Sequence, residues 1–136
     1  MFPSIDQPTP APTGRRVLVV DGNRDAAESL AVLLRLHGYE VSTAHTGPDA
    51  LAADREIQLD AIFLSIQLHG LSGYEVARRL RAEANGRSLV LAAMTGFARA
   101  EDRQLALAAG FDHHVVKPAD PNVILALLRS VPGTPA

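Results

Sequence analysis

The stretch VLVVDGNRDAAESL, residues Val17 to Leu30, decides the architecture. Its first four residues are branched aliphatics with no polar alternation, which is the pattern of a strand covered on both faces. Past Asp21 and Gly22 the period changes: Ala27, Leu30, Ala31 and Leu34 recur at three- and four-residue spacing, a helix that Gly38 stops after His37. A buried strand leading straight into an amphipathic helix is the unit of a parallel sheet, because parallel neighbours need a long crossover and the helix supplies it.

Outward from this stretch the unit repeats. EVSTA (Glu40 to Ala44) reads as a second strand, and Thr46, Pro48 and Asp49 open a short helix to about Arg55. AIFL (Ala61 to Leu64) is a third strand; Ser72 and Glu75 stand in capping-box spacing, predicting a helix over 73–84 that buries Val76, Ala77 and Leu80. LVLAAM (Leu89 to Met94) is a fourth strand, followed by a helix ending at Gly110, and His114 to Val116 form a fifth. Asp120 and Pro121 open the last helix, with Val123, Ile124, Leu127, Leu128 and Val131 as its expected buried stripe.

Composition bounds what this fold can do. With 136 residues the chain has room for one core and no separate output module; with 47% hydrophobic and 21% charged residues it is an ordinary globular sequence. The absence of cysteine excludes thiol catalysis, thiolate zinc sites and disulfides. A net charge of −2 and an aromatic content of 4% disfavour nucleic acid as a partner. No run is long enough to span a bilayer and the first residues lack a secretory pattern, so a cytoplasmic, membrane-free protein is expected. Residues 1–14, with four prolines, read as a disordered tail, 15–131 as the folded domain, and 132–136 as a second short tail.

In open parallel sheets, ligands sit outside the carboxyl ends of the strands. That rule selects Asp21 and Gly22, Ser65, Thr95, and Lys117 with Pro118. Lys117 is the single lysine beside twelve arginines, and a compact ammonium fits a small crevice better than a planar guanidinium.

Four motifs in this order, VLVVDGNRDAAESL, LDAIFLSIQLHGLSGYEVARRLR (Leu59 to Arg81), LAAMTGFA (Leu91 to Ala98) and AGFDHHVVKP (Ala109 to Pro118), resemble the receiver domain of two-component response regulators. The resemblance implies a flavodoxin-like, doubly wound (βα)5 fold with strand order 2-1-3-4-5. It implies phosphorelay signalling, in which an aspartate takes a phosphoryl group from a phosphohistidine with the help of Mg²⁺. By the same resemblance Ser65 stands at the phosphoacceptor position and Gly22 at the second of two adjacent metal-binding acids, the first being Asp21. Thr95 matches the hydroxyl that contacts the phosphoryl group, Lys117 the lysine that pairs with it, and His114 the switch position. Gln67 and His69 depart from common choices in the loop that follows the acceptor.

These departures change the chemistry expected. One carboxylate against one ammonium is a neutral pocket, whereas Mg²⁺ needs several oxygen ligands and dehydrates reluctantly. Ser65 is a weak nucleophile without a base. No catalytic residue, metal or cofactor is therefore expected, Mg²⁺ binding included, and the chain reads as a pseudo-receiver: a non-enzymatic, phosphorylation-independent protein-binding module. Two alternatives stand beside it: a working phosphorelay receiver using Ser65 or another residue, and a small α/β enzyme or nucleotide binder on the same scaffold. The resemblance implies a sensor histidine kinase or phosphotransfer protein as partner, and a homodimer through the face formed by the fourth helix, fifth strand and fifth helix, around Arg99, Arg103, His114 and Asn122. His113 and His114 are adjacent on a strand and point to opposite faces, so they are not read as a shared metal site. Arg78, Arg79 and Arg81 read as a solvated helix face.

Overall fold

The computed structural model describes residues 15–96 and 99–131. The tails expected at 1–14 and 132–136, and the last two residues of LAAMTGFA, lie outside them. Five strands alternate with five helices: β1 (Arg16–Val20), α1 (Arg24–Leu36), β2 (Glu40–Ala44), α2 (Gly47–Ile57), β3 (Ala61–Ser65), α3 (Gly73–Ala84), β4 (Val90–Thr95), α4 (Ala100–Ala109), β5 (His113–Val116) and α5 (Pro121–Arg129). All strand pairs are parallel and the sheet order is β2-β1-β3-β4-β5. That is the doubly wound order expected from the sequence.

Strand alternation divides the apolar residues between two layers. Leu18, Val20, Ile62, Leu64, Leu91 and Ala93 face α2, α3 and α4. Val17, Val19, Phe63, Ala92 and Met94 face α1 and α5. Because both faces are covered, every residue of β3 is buried, which is why these strands read as unbroken apolar runs. Four of the five helices start where a side chain supplies a cap: Asn23, Thr46, Ser72 and Asp120 each accept a backbone N–H of the first turn. At Gly73 the start of α3 lies so close to the end of β3 that a Cβ would stand 2.5 Å from the Ser65 carbonyl oxygen and 2.6 Å from the Ile66 Cα.

Four expectations change. In α5 Val123 is 46% exposed and Leu125 takes its place in the core, since the helix turns its 124-125-128 edge to the sheet. Arg81 is not on a solvated face: its guanidinium is half-buried, bonded to the carbonyls of Gly110 and Leu89 and paired with Asp112. Arg78 and Arg79 are exposed and pair with Glu75, which draws the Glu75 side chain away from closing a capping box. Helix α2 runs past Arg55 to Ile57 because Asp54, 3% exposed, is bound inward by both oxygens to Arg87 and accepts the Leu59 N–H.

Candidate functional site

The carboxyl ends of β1, β3, β4 and β5 bring Asp21, Ser65, Thr95 and Lys117 to one crevice, as the strand-end rule requires. Lys117 reaches it from the end of β5: its backbone N–H donates to the Thr95 carbonyl at 2.7 Å, and its Nζ donates to Asp21 Oδ2 at 2.8 Å and to Ser65 Oγ at 3.2 Å. The following peptide, Lys117–Pro118, is cis. Ser65 and Thr95 are buried and Asp21 nearly so. An ammonium, a carboxylate and a hydroxyl thus form a compact neutral set in which each charge has a partner.

Asp21 does not cap α1, a role that Asn23 takes. Its Oδ1 instead accepts the Asn23 backbone N–H at 2.9 Å, while its backbone carbonyl accepts from His45 Nδ1 at 2.9 Å. His45 is a contact that sequence pattern did not reveal: it follows β2, and only the pairing of β2 with β1 brings it to Asp21. Gly22, next to Asp21, and Gln67, two residues past Ser65, are both exposed, and a Cβ added at Gly22 would meet nothing within 4 Å. His69 is likewise exposed. Among the described residues no group of three or more histidine or acidic side chains is placed to hold a metal ion.

His114 stands apart, three residues before Lys117 on β5, beside a cavity of about 170 Å³ that Arg103 and Phe111 also line. Both ring nitrogens are buried with no hydrogen-bond partner among the described residues. Burial lowers its pKa from the ordinary histidine value and the nearby Arg103 charge lowers it further, against a smaller upward pull from Asp102. Leu107 of α4 lines the same cavity and is exposed, as are Val116 of β5 and Val123 of α5. None of the described helices is long and apolar enough to cross a membrane.

Residues 17–129 match the model of the response regulator receiver domain. Over 116 residues the chain is 35% identical to the DNA-binding response regulator MtrA of Mycolicibacterium smegmatis, covering 85% of this chain and 50% of that protein. The chain therefore spans about half the length of that relative. Its backbone is similar to the chemotaxis response regulator CheY4 of Vibrio cholerae, with a TM-score of 0.80 at 27% identity over 86% of this chain and 98% of that one. It is also similar to a chain in the co-crystal structure of the Saccharomyces cerevisiae histidine phosphotransfer signalling protein Ypd1 with the receiver domain of its downstream response regulator Ssk1, with a TM-score of 0.76 at 26% identity over 87% and 86% of the two chains. Five parallel strands in the order 2-1-3-4-5, an acid and a lysine joined at their carboxyl ends, and a family match across the whole sheet lead to one assignment: this chain belongs to the response regulator receiver domain family.

Proposed function

We propose that this receiver domain is a phosphorylation-independent protein-binding module of a two-component pathway. The observation that carries the reading is the neutral pairing at the crevice, where Lys117 bonds both Asp21 and Ser65. The residues do not fit the family's Mg²⁺. Among the described residues Asp21 is the single carboxylate at the crevice and is paired with Lys117, Gly22 offers no side-chain oxygen, and an octahedral oxygen shell has too few ligands to draw on. Nor does Ser65 suit phosphoryl capture, since its hydroxyl is buried and accepts from the Lys117 ammonium, which is a donor and not a base.

Output then rests on surface contacts. The exposed apolar residues of α4, β5 and α5 make that face the first candidate, for a sensor kinase, a phosphotransfer protein or a second copy of this chain. The likeness to a chain of a phosphotransfer complex supports the class of partner. MtrA is by name DNA-binding, but this chain matches only half of it, and at a net charge of −2 this domain is read as making no nucleic-acid contact of its own.

The test is intact-mass spectrometry after incubation with acetyl phosphate and Mg²⁺. The expected result is an unmodified mass. A stoichiometric phosphoryl adduct overturns the reading and promotes a working receiver that uses Ser65 or another acceptor.

A further inference from the structure

A groove of about 600 Å³ opens between α1 and the loop from β5 to α5, within the range of about 300–1,000 Å³ common to small-molecule sites. It exists because the facing side chains are small. Ala26 and Ser29 of α1 oppose Pro118 and Ala119, so the groove runs between helix and loop, with the buried side chains of Val19 and Met94 at its floor. Its body is apolar, and the charged side chains lining it are Asp21 and Lys117, which meet it as a bonded pair.

That pair sets the chemistry of an occupant. The Lys117 ammonium has three N–H donors, of which Asp21 and Ser65 take two, leaving one without a partner among the described residues. The lysine side chain is 32% exposed and lines the groove. Each Asp21 oxygen accepts one hydrogen bond, from Asn23 and from Lys117 respectively, and each keeps a lone pair. A head that both accepts and donates satisfies the two groups together. An anionic head would face Asp21 and a cationic one Lys117, so a neutral head is the complement.

We propose that this groove binds an uncharged amphipathic small molecule, its apolar body between α1 and the β5–α5 loop and a hydroxyl-type head on the Asp21–Lys117 pair. Such a ligand would give the module an input that needs no phosphoryl group. The site does not depend on the phosphorylation reading, which mass spectrometry decides separately.

The experiment is an amide NMR titration of the chain with para-butylphenol, compared with butylbenzene and para-butylbenzoate. Expected are saturable shifts at Ala26, Ser29 and Ala119 with the phenol, with binding about tenfold weaker for butylbenzene, which lacks the head, and weaker also for the carboxylate. Ser29→Phe, at an exposed helix position, fills the groove and abolishes the shifts while circular dichroism stays unchanged. Lys117→Met, which removes the donor to the head, shifts the phenol affinity relative to native while leaving butylbenzene binding unchanged. The proposal is overturned if no saturable shift occurs at these amides, if phenol and butylbenzene bind equally, or if Ser29→Phe binds as the native chain does.

Discussion

Gly22 leaves open space next to Asp21, and Ser65 stands within hydrogen-bond distance of the Lys117 ammonium. Replacing both with aspartate puts three carboxylates around one lysine, a net charge of −2 that a divalent cation offsets. The metal-free double variant is expected to melt below the native chain, and Mg²⁺ to restore about 2.7 kcal/mol at a hundredfold excess over its dissociation constant. Thermal melts of both chains with and without Mg²⁺ check this; a native chain that gains as much as the variant would refute it. His114 supports a second prediction. Its pKa lies below the unfolded value of 6.5, so near and below that pH the unfolded chain binds the proton more readily. The native state accordingly keeps the full benefit of a neutral ring above pH 6.5 and loses it as pH falls from there to the folded pKa. His114→Phe, which cannot titrate, should therefore show a shallower loss of melting temperature between neutral and mildly acidic pH. At this scale the sequence disclosed the crevice well. Asp21, Ser65, Thr95 and Lys117 were selected by strand ends alone, whereas the contact from His45 depends on β2–β1 pairing that no local pattern encodes.

At the scale of elements, two ion pairs on α2 behave differently because their surroundings differ. Asp54 is buried and holds Arg87 by both oxygens while accepting the Leu59 amide; Arg55 pairs with Glu83 in the open. Asp54→Ala strands a half-buried guanidinium and should cost about 3 kcal/mol in urea unfolding, while Glu83→Ala should leave the midpoint unchanged because exposed pairs contribute little. Helix and strand positions are legible where a unit carries its own period and cap, as α3 does over the residues that Ser72 and Glu75 predict, whereas α4 starts at Arg99 without a side-chain cap. What remained hidden were the inward-facing charges. Asp54 and Arg81 carry the same letters as surface residues, and their burial follows from partners 33 and 31 positions away in sequence. The exchange of Val123 for Leu125 in α5 has a similar origin: both fit a helical stripe, and only the tilt against the sheet chooses between them.

Taken whole, the molecule is a sheet with its most enclosed strands at the centre. β1, β3 and β4 have neighbours on both edges, while among the described residues β2 and β5 each have one free edge. In native-state hydrogen exchange the amides of Leu18, Val19, Ile62 and Phe63 should therefore be slowest, with β5 exchanging earlier; equal protection across all five strands would contradict this ordering. The two ends of the described domain also meet. The Arg15 guanidinium donates to the Leu128 carbonyl across 113 positions, at the end of the sheet where β1 begins. Asp21 and Lys117 lie at the opposite, carboxyl end of the strands. Anything fused before β1 or after α5 is thus tethered at a shared pole facing away from the crevice and the groove, and an insertion of this domain into a host protein would present both to solvent like the far end of a hairpin.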